Sequence, residues 1–181
     1  MKRSVIGTLP TLLALLAVIQ PASAVAPGRD AHRVALVDQA GASFSIATLA
    51  ATRPVIYTFV ATRCTDACPL ANAIFGRLAA RLAAKRLRAT VVTVTLDPGY
   101  DTPFVMAREA QTFGADATIW KFASGSPRDI RRLMRADGVV TRLDEHGVPE
   151  EHSSFVYLQS PRLKRTFLLS SNLPDEILAA M

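Results

Sequence analysis

Cysteine is scarce: the 181 residues contain only two, Cys64 and Cys68. No third cysteine is available to complete a four-ligand structural zinc site. A pair this close in sequence is also a poor staple, because closing a loop of about 5 residues stabilises a fold by only about 2 kcal/mol in the chain-entropy model. Histidine is sparse too, limited to His32, His146 and His152. Past the N-terminal segment, no apolar run approaches the roughly 20 residues of a membrane-spanning helix. The chain lacks a clustered basic tail, aromatic residues interleaved with basic ones, and zinc-finger spacing, so nucleic acid is not an expected partner. Repeats and low-complexity tracts are absent as well, and the length suits one domain with a full core.

The N-terminus has the three-part layout of a secretory signal. Lys2 and Arg3 precede an apolar run from Val5 to Ile19, and Pro21-Ala22-Ser23-Ala24 closes it. Small residues at Ala22 and Ala24 place the expected cleavage after Ala24 and the mature start at Val25. No cysteine follows, so lipoprotein processing is not expected. The alternative is an uncleaved anchor; the short apolar stretch and Pro10 within it count against this. In both cases the folded part is expected outside the cytoplasm, in a periplasm or tethered to the outer face of an inner membrane. The expected divisions are a leader over 1–24, a loosely ordered arm over 25–32 and one folded domain over 33–181. Without Lys2 and Arg3 the mature part carries a net charge of about +4. Its plain meaning is an arginine-rich solvated surface, and an acidic partner or anionic membrane face is the alternative.

The pattern of elements predicts an α/β domain. Val34, Leu36 and Phe44 flank Gln39-Ala40-Gly41-Ala42, which predicts a hairpin of two short edge strands. Val55 to Val60 is a continuous β-branched and aromatic run, expected for a strand buried on both faces. Pro69 suits the first position of a helix, and Leu70, Ile74, Phe75, Leu78 and Leu82 recur at helical spacing. Ala89 to Leu96 is a second buried strand, giving a strand-helix-strand crossover with parallel pairing. Helices are predicted from Thr102 as cap to before Gly114, over Pro127–Arg135 and over Pro174–Met181. Thr118–Ala123 is expected as a strand, and Ser154–Gln159 with Thr166–Leu169 as an antiparallel pair. The result is a sheet with a parallel half and an antiparallel half, covered by helices on both faces.

Cys64 and Cys68 fall where the first core strand ends and a helix begins, the edge at which open α/β sheets place their sites. Cys68 directly precedes Pro69, so it is expected at the helix N-cap, where the helix dipole favours a thiolate. A thiolate is both a nucleophile and a soft metal ligand. The pair alone leaves metal binding and thiol exchange open, with a structural disulfide as the plain alternative. His32, in the arm, and His146, in the polar turn Asp144-Glu145-His146-Gly147, are expected in solvent. His152 stands just before the strand at Ser154, where an ordinary histidine is the default. Added to the cysteines it would form a set suited to Cu(I), or with a weak fourth ligand to Cu(II) or Zn.

Three separated motifs carry a family resemblance. Cys64-Thr65-Asp66-Ala67-Cys68-Pro69, Asp97-Pro98-Gly99-Tyr100-Asp101-Thr102-Pro103 and His152-Ser153 together resemble the Sco/SenC family of thioredoxin-like copper proteins. Thr65 stands where many members have proline, and Glu150 and Glu151 precede the histidine. The resemblance implies a thioredoxin-like fold and one copper ion, Cu(I) or Cu(II), held by Cys64, Cys68 and His152. It further implies a membrane-proximal partner, the copper-binding subunit of cytochrome c oxidase, with a periplasmic copper donor or thiol reductant upstream. Asp97 and Asp101 have the plainer roles of turn former and helix-start residue. Asp66 and Arg63 are either solvated or tune the adjacent thiols.

Two function classes remain. One is a copper metallochaperone, not an enzyme in the usual sense. The other is a thiol-disulfide oxidoreductase using Cys64 and Cys68 as its redox pair to keep a partner's metal-site cysteines reduced. Three residues between the cysteines, and no proline directly before Ser154, weigh against the second. A redox-inactive binding module is the bland option.

Overall fold

Two runs rich in β-branched and aromatic residues form the centre of the molecule. The computed structural model describes residues 31–65 and 67–181, with the side chains of residues 150 and 151 excepted. The expected leader, most of the arm and Asp66 lie outside the described residues. The runs become β3 (Val55–Val60) and β4 (Thr90–Thr95), both buried at every position and paired in parallel from Val55↔Thr90 to Val60↔Thr95. Such strands satisfy their backbone groups on both sides, which leaves β-branched side chains free to pack above and below.

The hairpin β1 (Leu36–Asp38) and β2 (Ser43–Phe44) turns at Gly41, whose φ of +81° is costly for any side chain. With β5 (Trp120–Gly125), β8 (Phe155–Gln159) and β9 (Lys164–Leu168), these strands make one seven-stranded sheet in the order β2-β1-β5-β4-β3-β8-β9. Strands β3, β4 and β5 are parallel, while β1, β8 and β9 join by antiparallel pairs. The α/β mixed sheet therefore matches expectation, with one change: β1 is interior, and only β2 lies at that edge.

Helices cover both faces. A short α1 (Ile46–Ala50) follows a capping box in which Ser45 and Thr48 satisfy each other's backbone N–H groups. Five residues are too few to show helical periodicity, which is why α1 was not expected. Helix α2 (Ala67–Ala84) buries Ile74, Phe75, Leu78 and Leu82 but leaves Leu70 facing solvent. Helix α3 (Pro103–Thr112) starts on Thr102, whose hydroxyl accepts from Val105 N–H at 3.3 Å. Helix α4 (Pro127–Ala136) starts on Ser126, and α5 (Leu173–Ala180) packs against α2, joined by an Arg81–Asp175 ion pair. One core lies between the sheet and α1 with α4, and another between the sheet and α2, α3 and α5. In the second core Trp120 is 1% exposed, and its indole N–H donates to Thr93 Oγ1 at 3.0 Å.

A second, two-stranded sheet was not expected: β6 (Thr141–Leu143) pairs with β7 (Pro149–His152) in antiparallel register, Thr141↔His152. The stretch is polar in sequence, so it carries no alternating apolar signal. Gly147, at φ +73°, supplies its turn.

His32 corrects a further expectation. It is 3% exposed, and its Nε2 donates to Asp137 Oδ1 at 2.8 Å, with Tyr57 Oη at 3.1 Å. Tyr57 donates to the other Asp137 oxygen at 2.9 Å, and Tyr157 to the Asp137 carbonyl at 2.9 Å. The two tyrosine rings stack with centroids 5.0 Å apart. Burial, then the Asp137 charge, pushes the Tyr157 phenol up to about 12 and holds Tyr57 well above its ordinary value. An unfolded chain loses these protons from about pH 10 while the folded one keeps them, so the unfolded state binds fewer protons there and stability falls as pH rises. The urea midpoint should decline between pH 10 and about 12, and less steeply in Tyr157→Phe. An equally steep decline in that variant would show that this phenol contributes nothing to the slope.

Candidate metal centre

Strand β3 delivers its last residues to the carboxyl edge of the sheet, and the chain turns there. Cys64 N–H donates to Ala61 O at 3.1 Å, which curls the loop back so that Cys64 packs, half-buried, against the α1-side core and the small cluster of Val60, Cys68 and Ala71. Cys68 is the second residue of α2, not its N-cap, because the helix begins at Ala67 and Pro69 sits within the first turn. Proline is tolerated there because N–H groups of the first turn have no helical acceptor. Cys68 is 2% exposed, and its sulfur accepts from Ala61 N–H at 3.4 Å. No disulfide joins the two cysteines.

The antiparallel pairing of β8 with β3 places the start of β8 beside the end of β3. His152, at the end of β7, is carried to that same edge by two anchors. Ser153 N–H donates to Val140 O at 3.2 Å, and Leu169 N–H to Ser154 O at 3.0 Å. Its Nε2 lies 3.4 Å from Cys68 Sγ, and Nδ1 lies 3.4 Å from the Ser153 carbonyl. A carbonyl accepts only, so Nδ1 carries the proton and Nε2 presents its lone pair to the sulfur.

The structure thus brings together Cys64, Cys68 and His152, whose ligand atoms all lie within 4.8 Å of one another. One ion with bonds of about 2.3 Å to sulfur and 2.0 Å to nitrogen would hold three such donors about 3.7–4.0 Å apart in a trigonal plane. The Cys68–His152 pair would open slightly and the widest separation would close, both small movements. Two sulfurs and one imidazole suit Cu(I), and are too few for a closed zinc site. His146 is exposed in its turn, as expected, and His32 is buried elsewhere.

One expectation about reactivity fails. Burial, followed by the adjacent Cys64 thiol, pushes the Cys68 thiol up to about 12, overriding the donation from Ala61 N–H that favours the thiolate. A buried thiol of this kind is a poor nucleophile at neutral pH, whereas a soft cation can displace its proton.

The second motif has a role not foreseen from the sequence: it fastens the cysteine loop. Asp101 is fully buried, its carboxylate accepting from Thr95 Oγ1 at 2.7 Å, from Thr62 N–H at 3.3 Å and from the Thr62 hydroxyl. Asp97 accepts from Arg63 Nε at 3.1 Å, and the Arg63 guanidinium also lies 4.6 Å over the Tyr100 ring. Arg63 is thus paired with Asp97 and is not simply solvated. Burial raises the Asp101 carboxyl, and its three donors oppose that shift. Asp101→Ala would leave Thr62 N–H and two hydroxyls without their acceptor, at a cost of about 3 kcal/mol. Asp101→Asn keeps an acceptor for Thr62 N–H and Thr95, and its amide can donate to Thr62 Oγ1. Chemical unfolding should therefore rank wild type and Asn close together with Ala well below. Equal losses in the two variants would mean that the charge, not the bonding pattern, matters.

A thioredoxin-like α/β sheet with two thiols and an imidazole at its carboxyl edge defines a class: a redox or soft-metal protein built on that fold. Within the class, the SCO1/SenC family matches residues 28–181, and the chain belongs to that family. Similar solved structures include a SCO1/SenC family lipoprotein from Bacillus anthracis str. Ames, with TM-score 0.71 and 22% identity over 81% of this chain and 89% of that one. Arabidopsis thaliana ScoI with copper bound aligns at TM-score 0.65 and 21% identity, over 81% and 94% of the two chains. Bradyrhizobium japonicum ScoI with copper bound aligns at TM-score 0.63 and 22% identity, over 81% and 96%. No curated protein matches the chain in sequence. No helix among the described residues is long and apolar enough to cross a membrane.

Proposed function

We propose that this protein is a copper metallochaperone. It binds one copper ion through Cys64, Cys68 and His152 and passes it by ligand exchange to the dinuclear copper site of a cytochrome c oxidase subunit. The convergence of those three ligand atoms within 4.8 Å carries the reading. Family membership supports it, as do the copper-bound ScoI structures of similar fold. The burial asymmetry suits transfer: Cys68 and His152 contact each other inside the site, while half-buried Cys64 is the ligand an incoming thiolate can replace first. The leader and mildly basic domain fit work outside the cytoplasm, near a membrane, with a donor or reductant upstream.

A second reading is a thiol-disulfide reductase acting on the partner's metal-site cysteines. The pairing of a half-buried Cys64 with a buried Cys68 resembles an attacking and a resolving thiol. The raised Cys68 thiol disfavours it as the main activity.

Titrating the reduced full chain with Cu(II) tests the first reading. One equivalent should bind, with a thiolate-to-copper charge-transfer band that saturates at that ratio. A chain that takes up no copper, or binds it with no such band, removes the metallochaperone reading.

A further inference from the structure

The end of the sheet opposite the cysteines holds a cleft. It is about 800 Å³, walled by α1, by His32 and Arg33, and by the β8–β9 turn with Gln159, Arg162 and Lys164. Because Val55 begins β3 and pairs with Gln159, this edge is the amino end of β3, a strand's length from the metal centre. Among the described residues that line the cleft there is no carboxylate. Asp137 lies beneath it, fully covered, bound to His32 and 3.6 Å from Lys164 Nζ. Arg33 and Arg162 form no ion pair among the described residues. Among the described residues, three solvent-exposed cations therefore face one buried carboxylate, an excess of about two positive charges.

A second observation points to the same edge. Among the described residues, three buried side-chain polar atoms have no hydrogen-bond partner: Arg53 Nε, Thr90 Oγ1 and Gln159 Oε1. Thr90 and Gln159 are the two residues that flank Val55 across the sheet, and Arg53 precedes it by two. By strand alternation, Thr90 and Gln159 share the face of Val92 and Tyr157, the face that α1 covers. Of the three, Gln159 alone lines the cleft, and since buried polar groups are paired in nearly all folded proteins, its Oε1 marks a place where a donor is supplied from outside the chain.

We propose that this cleft binds a phosphate monoester carrying hydroxyl groups. The two excess charges match a phosphomonoester dianion, and Arg33 and Arg162 can each grip it through paired N–H donors. The cleft has room for the body of the ester, whose hydroxyls would both donate and accept at the polar wall beside Gln159. A soluble sugar or glycerol phosphate and a lipid headgroup share this chemistry. The inference does not depend on the copper reading, since the two sites lie at opposite ends of β3.

The test uses the full chain, its Arg33→Glu/Arg162→Glu variant, glycerol 3-phosphate, and phosphatidylcholine vesicles containing phosphatidic acid. Melting temperature and copper stoichiometry of the variant should match wild type and so report a retained fold. Saturable binding of glycerol 3-phosphate, weakened at least about tenfold by the charge reversal, supports the site with a soluble ligand. Binding to the vesicles alone, lost in the variant, supports it with a headgroup ligand. No binding to either probe, or equal binding by both proteins, overturns the proposal.

Discussion

Cys68→Ser is expected to abolish tight copper binding while leaving the fold in place. Cys68 Sγ sits between Ala61 N–H and His152 Nε2, both at 3.4 Å, with 2% of the residue exposed. A serine hydroxyl can still accept from Ala61 and donate to the imidazole, so little stability is lost. As a ligand it fails, because a neutral hard oxygen on a shorter bond neither reaches nor suits Cu(I). Affinity should fall by more than about 100-fold, beyond what losing an outer-shell partner costs, and the charge-transfer band should weaken or vanish. Cys64→Ser should lose copper similarly, through the exposed side of the site. Alkylation adds a second readout: in the apo protein Cys64 should react well before Cys68, and copper should protect both. One-to-one copper binding retained in both serine variants would end the assignment of these sulfurs as ligands.

The parts of the molecule legible in the sequence are those whose causes are local. Val55–Val60 and Thr90–Thr95 are strands because every residue in them can be buried, and composition alone reveals that. Thr102-Pro103 and Ser126-Pro127 announce helix starts through a side-chain cap and a preset φ. His32 was misjudged because its burial depends on Asp137, 105 residues away, and nothing near it in sequence signals that partner. The β6–β7 hairpin escaped because its sequence is polar and carries no alternating apolar pattern, its strands being joined by a turn and backbone pairing. That hairpin aims His152, so the position of the third ligand could be inferred only from resemblance. The Cys68 thiol was misread for a related reason. A helix start suggests a lowered pKa, but how deeply the helix sinks into the core decides the sign, and that depth is a tertiary property. Asp97 and Asp101 were recognisable as a turn former and a helix-start residue, yet their carboxylates reach back more than thirty residues to Arg63 and Thr62.

His152→Ala separates the two chemistries that the cysteines alone permit. The side chain takes no part in the Thr141↔His152 backbone pairing, and Ser153 keeps its own hydrogen bond to Val140, so the hairpin should persist without the imidazole. Both thiols stay where they are, and the variant removes one donor and one potential base. If copper handling is the function, the loss falls on the metal. Two sulfurs alone can still hold Cu(I), but Cu(II) loses its nitrogen ligand, so its affinity should drop by at least about 100-fold and the charge-transfer band should shift or disappear. Thiol exchange with a small disulfide should change by less than about twofold, since the Cys68 proton is held by burial more than by the imidazole. If reduction is the function, the pattern reverses: exchange slows as the base next to Cys68 is lost, and copper uptake is untouched. A variant with intact Cu(II) affinity would therefore remove His152 from the metal centre and leave a dithiol whose chemistry is exchange.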